Sequence, residues 1–106
     1  MRDAADAIAR FTLGRSFDGY LADHMLRSAV ERQFEIIGEA LSQLAKTDPV
    51  LAARIPDVRR IIGFRNVLIH GYDPIEDAAV WRAIELDLPA LRAQAAALLT
   101  ELAEMP

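Results

Sequence analysis

Apolar residues recur at every third or fourth position along most of this sequence, which is the spacing of one face of an α-helix. The longest such series lies within 25–46 and predicts a helix about 30 Å long. Its apolar members are Leu26, Val30, Phe34, Ile37, Leu41 and Leu44. No stretch alternates apolar and polar residues in the manner of a half-buried strand. The chain is therefore predicted to be all-α.

Capping residues and prolines divide the sequence into helices joined by short turns. The predicted helical segments are 3–13, 18–23, 25–46, 49–54, 57–70, a helix opened by the capping box 73–76, and 89–103. Pro89 either kinks the helix that it meets or starts a new segment at Asp87. No internal repeat or flexible linker is visible, so residues 1–106 should form one domain, an up-and-down bundle of four to five helices.

The composition excludes several kinds of site. The chain has no cysteine, so disulfides, thiolate metal sites and cysteine nucleophiles are excluded. Residues 1–6 contain acids and no long apolar run, unlike a signal peptide. No run of about 18 apolar residues is present, so we expect no membrane partner. These features predict a soluble, cytoplasmic protein.

Charge is unevenly distributed along the chain. The net charge is −4, yet residues 1–72 hold ten Lys and Arg against nine acids, whereas 73–106 hold two against seven. Within 54–70, four arginines face one acid, Asp57. An acidic protein is a poor general binder of nucleic acid, so any phosphate recognition must be local. Arg59 and Arg60 lie in this one basic stretch.

The predicted helix 57–70 places a charge on its apolar face. On an ideal helix Arg65 lies within roughly 60° of every member of an apolar stripe. That stripe consists of Val58, Ile61, Ile62, Leu68 and Ile69. A charge there is costly unless it is paired or borders a cleft. Structural roles stay open, because an arginine can extend its head group to water and a histidine can complement a helix C-terminus.

Arg65 and His70 diverge by roughly 140° on an ideal helix. They can serve one site only if the helix ends early near His70, or if a second copy of the chain supplies the missing group. Asn66 shares a stripe with His70 and Arg59. Spacing alone therefore indicates a phosphate-facing site without deciding its chemistry.

The string from Arg65 to Tyr72, Arg-Asn-Val-Leu-Ile-His-Gly-Tyr, matches the R-x4-H-x-Y pattern of HEPN-domain proteins. The sequence resembles in particular the HepT-like toxins of HepT/MntA toxin–antitoxin systems. Segment 31–40, ERQFEIIGEA, is similar to the long helix of that family, and segment 84–91, IELDLPAL, resembles its last helix. The resemblance thus covers nearly the whole chain in the right order.

This resemblance implies a helical bundle that forms a homodimer, with two motifs facing each other across the interface. It also implies a metal-independent endoribonuclease that needs no cofactor and acts on RNA. Arg65 and His70 would be the catalytic pair. Asn66 would take the polar position after the arginine and would contact RNA together with Arg59 and Arg60.

The resemblance further implies a protein partner. Tyr72 would be the hydroxyl that a cognate MntA-like nucleotidyltransferase antitoxin modifies with AMP. An AMP group placed there would add a bulky anion where RNA phosphate should dock. A larger complex with the antitoxin is left open.

Glu31, Glu35 and Glu39 support an alternative, because they are spaced by four on the helix predicted over 25–46. Carboxylates at this spacing could hold Mg²⁺, as in all-helical nucleotide pyrophosphohydrolases. A polar face neutralised by Arg32 is favoured, since no second acidic helix motif is present. Glu35 and Glu39 would then orient arginines, Arg65 among them. A third interpretation is a non-catalytic module that binds nucleotide or RNA or only dimerises, against which the intact R-x4-H argues.

Overall fold

The computed structural model, which describes residues 1–55 and 77–104, consists of helices that follow one another with short turns between them. They are α1 (Arg2–Thr12), α2 (Phe17–Ala22), α3 (His24–Thr47), α4 (Pro49–Ala52), α5 (Asp77–Arg82) and α6 (Leu88–Glu104), with a π-helical segment, Ala83–Asp87, between the last two. The described residues contain no strand, so the predicted all-α class is confirmed. The helix predicted over 57–70 and the capping box 73–76 lie outside the described residues.

Helix α3 is the longest element and matches the predicted segment 25–46 to within one residue at each end. The Asp23 carboxylate accepts a hydrogen bond from the backbone N–H of Leu26 at 3.0 Å, which satisfies a donor that the first helical turn leaves free. The predicted apolar stripe is the buried face, and only its last member, Leu44, is half-buried. The spacing of apolar residues therefore predicted both the position of α3 and the face that it buries.

The shorter N-terminal elements also begin and end at residues with a clear local role. Gly14 follows α1 with a φ of 73°, a left-handed conformation that favours glycine. Ser16 starts α2 by accepting a hydrogen bond from the Gly19 N–H at 3.1 Å. Asp48 does the same for α4 through the Leu51 N–H at 3.0 Å, with Pro49 at the first helical position. Helix α4 ends at Ala52, two residues before the predicted end.

Pro89 is accommodated without breaking the helical path. It has no N–H, and its ring would collide with the carbonyl of Glu85 in a regular α-helix. Immediately before it, the Leu88 N–H bonds to the Ala83 carbonyl, five residues back instead of four. The wider π-helical turn gives the ring room, so α6 begins at Leu88, one residue after the position predicted for a new segment.

The core forms where α1 packs on both α3 and α6. Ile8 of α1, Ile37 of α3 and Leu91 of α6 are each no more than 1% exposed. No charged side chain among the described residues is buried, so the bundle is stabilised by apolar burial. At its surface, the Asp6 carboxylate lies 2.9 Å from the guanidinium of Arg92 and joins α1 to α6.

Candidate functional site

Most of the predicted site lies in the segment 56–76, outside the described residues. Six candidates fall there: Arg59, Arg60, Arg65, Asn66, His70 and Tyr72. Their mutual geometry therefore stays a prediction. The structure does describe the residues just before and just after this segment, together with Arg32, Glu35 and Glu39 on α3. These parts show how the bundle anchors the chain that carries the motif.

The N-side junction, formed by Arg54, Ile55 and Glu101, anchors the chain just before the motif segment. Ile55 is 2% exposed and belongs to the core. Arg54 donates two hydrogen bonds to the carboxylate of Glu101 on α6, at 2.8 and 2.6 Å. This hydrogen bonding raises the pKa of Arg54 and lowers the pKa of Glu101. The ion pair thus holds the residues just before the motif segment against α6, the last helix.

The C-side junction, formed by Tyr20, Glu31, Asp77 and Trp81, lies where the chain returns from the motif segment at the start of α5. The Tyr20 ring is fully buried, and its centroid is 5.4 Å from that of Trp81. Aromatic pairs at such distances are attractive beyond the area that they bury. Through this contact α2 and α5 pack against each other.

Acidic charge accumulates at the C-side junction. Burial raises the pKa of Glu31, and the nearby carboxylates of Asp77 and Glu35 raise it further, while Arg27 and His24 act in the opposite direction. Burial also raises the pKa of Tyr20, with Glu31 and Asp77 as the next causes. The Tyr20 hydroxyl has no hydrogen-bond partner among the described residues. Like charges therefore meet on this side of the motif segment.

The remaining predicted site residues lie on α3. The guanidinium of Arg32 is 3.2 Å from the carboxylate of Glu35, so these two side chains form an ion pair along α3. Glu39 accepts a hydrogen bond from the Gln43 amide at 3.1 Å. The predicted orientation of Arg65 by Glu35 or Glu39 involves a residue outside the described ranges.

Among residues 1–55 and 77–104, no group of three or more histidines and carboxylates is placed so that it could hold a metal ion. Glu31, Glu35 and Glu39 do not form such a group. None of the helices described over the same ranges combines the length and apolar character needed to cross a membrane.

Comparison with known proteins decides the family. Residues 1–98 match the sequence model of the family described as Ribonuclease HepT-like. The chain belongs to this family. No solved structure shows a significant match to it.

Three named relatives of this HepT-like chain come from archaea and bacteria. "Probable ribonuclease HepT" of Thermococcus cleftensis is 32% identical over 90 residues, covering 85% of this chain and 81% of that protein. "Putative RNase MJ1380" of Methanocaldococcus jannaschii is 32% identical over 92 residues, covering 85% and 82%. "Putative RNase TTE0752" of Caldanaerobacter subterraneus is 35% identical over 81 residues, covering 76% and 71%.

The family match confirms the resemblance carried by segments 31–40 and 84–91 of the HepT-like chain. The first segment lies on α3, and the second runs from the π-helical segment into α6. The matched range also contains the whole motif segment 56–76.

Sequence reasoning did not find the junctions that flank the motif. Glu31 and Asp77 lie far apart in the sequence, as do Arg54 and Glu101, and no spacing rule connects them. One signal was available: Phe17 and Tyr20 stand three residues apart, on one face of a short helix. That spacing could have indicated an aromatic contact surface beside α5.

Proposed function

We propose that this HepT-like chain is a metal-independent endoribonuclease toxin that cuts RNA with Arg65 and His70. The observation that carries the proposal is the intact R-x4-H-x-Y string inside the range matched by the family model. The names of the relatives support the same activity class, since each is a ribonuclease name.

The chemistry suits these two side chains. The RNA 2′-hydroxyl attacks the adjacent phosphorus, the bond to the 5′-oxygen breaks, and a 2′,3′-cyclic phosphate forms. An imidazole takes the 2′-hydroxyl proton, and an imidazolium donates a proton to the departing 5′-oxygen; each such transfer is typically worth about 10²–10⁴-fold in rate. The Arg65 guanidinium stabilises the negative charge that develops on the phosphoryl oxygens.

A homodimer explains how one histidine per motif can serve both proton transfers. One imidazole cannot easily act as base and as acid in the same step, whereas two copies related by a two-fold axis bring two. Arg65 and His70 point in directions roughly 140° apart around an ideal helix. In the dimer, the partner copy then supplies the group that one chain cannot bring to the site. Asn66, Arg59 and Arg60 contact the RNA in this arrangement.

Modification of Tyr72 would switch the enzyme off. In this scheme the Tyr72 hydroxyl attacks the α-phosphorus of ATP on an MntA-like nucleotidyltransferase antitoxin, and pyrophosphate leaves. The AMP group adds negative charge beside His70, so that it repels and excludes the RNA phosphate. RNA and the antitoxin are thus alternative partners of one surface.

RNA cleavage by purified protein in the presence of EDTA tests the nuclease. We expect products with 2′,3′-cyclic phosphate ends, and a loss of rate of at least about 10²-fold in Arg65→Ala and in His70→Ala. His24→Ala and Arg10→Ala are matched controls, since both residues are exposed and lie outside the motif. Wild-type rates in both motif variants, or uniform 3′-hydroxyl ends, would show that the assignment is wrong.

Intact mass after incubation with ATP and the antitoxin tests the switch. Each AMP should add about 329 Da, and Tyr72→Phe should abolish the gain. The chain has two tyrosines, so Tyr20→Phe is the matched control and should still be modified, because Tyr20 is fully buried. An unchanged wild-type mass would remove this regulation and leave the nuclease assignment standing.

A further inference from the structure

We draw no further inference here: the strongest candidate, the open surface groove between α2, α5 and the π-helical segment that is lined in part by Phe17, Trp81 and Leu86, holds one carboxylate and one guanidinium, Glu85 and Arg82, and nothing in the structure shows what covers it.

Discussion

The two junctions that flank the motif segment are held by opposite kinds of electrostatics. At the N-side junction Arg54 and Glu101 form a doubly hydrogen-bonded ion pair on the surface. At the C-side junction Glu31 and Asp77 bring like charges together beside the buried ring of Tyr20. At the N-side junction the folded state is more stable when Arg54 and Glu101 are ionised. At the C-side junction it is more stable when Glu31 is protonated. Among the described residues, the aromatic contact of Tyr20 with Trp81 therefore has to offset this repulsion at the start of α5.

The largest effect should come from removing that packing. Tyr20→Ala should lower the free energy of unfolding by about 3–5 kcal/mol, since a fully buried aromatic side chain is lost. Urea unfolding at a fixed protein concentration measures it. Tyr20→Phe keeps the ring and should change stability by no more than about 1 kcal/mol, because the hydroxyl has no hydrogen-bond partner among the described residues. A loss below about 1 kcal/mol for Tyr20→Ala would mean that the rings do not hold this junction.

A smaller effect of opposite sign should follow from neutralising Glu31. Its pKa is raised from 4.5 by burial and by Asp77, so the folded chain binds this proton more tightly than the unfolded chain does. The resulting stabilisation is present below pH 4.5 and is lost as the pH rises through the raised pKa.

Glu31→Gln should consequently stabilise the protein at pH 7 by about 0.5 kcal/mol and have little effect near pH 4. Unfolding measured at the two pH values checks this. In an Asp77→Asn background the gain from Glu31→Gln should be smaller than in the wild type, because the repulsion from Asp77 has already been removed. Additive gains would show that the two carboxylates do not interact.

The smallest effect is expected at the N-side junction. Arg54→Ala or Glu101→Gln should lower Tm by about 1–2 °C, since exposed ion pairs contribute little. The hydrogen bonds from Arg54 lower the pKa of Glu101, so this contribution is present at neutral pH and is lost as the pH falls through that lowered pKa. High salt should reduce the difference between variant and wild type. A larger loss of stability in Arg54→Ala than in Tyr20→Ala would mean that the N-side junction contributes more to stability than the C-side junction.

Particular residues show how far the sequence could be interpreted. The apolar series on α3 predicted both its limits and its buried face, and Asp48 with Pro49 predicted the start of α4. Pro89 indicated a disturbed helix, and local rules left a kink and a new helix start as alternatives. The structure contains a π-helical turn instead, which keeps Ile84 within it and Leu88 after it buried in the core.

The candidate site stays a prediction, because most of its residues lie in the segment 56–76. Arg32 and Glu35 form an ion pair because they are three residues apart on one helix and fall on the same side of it. The R-x4-H-x-Y string could be identified from the sequence alone, and it lies within the range that the family model matches. The surface groove that is lined by Phe17, Trp81 and Leu86 was not predicted, since its walls come from two parts of the chain that spacing does not relate.

The sequence by itself determined the limits and the buried face of α3, the start of α4 at Asp48 and Pro49, and the family, because each of these depends on residues within one or two helical turns or on a contiguous string. Tertiary structure alone decided that Asp77 lies near enough to Glu31 to raise its pKa, that Arg54 reaches Glu101, and that Phe17 and Leu86 border one groove. Those relations depend on how α1, α2, α5 and α6 pack around α3. Packing is fixed by the fit of whole helix surfaces, and no short-range pattern encodes it.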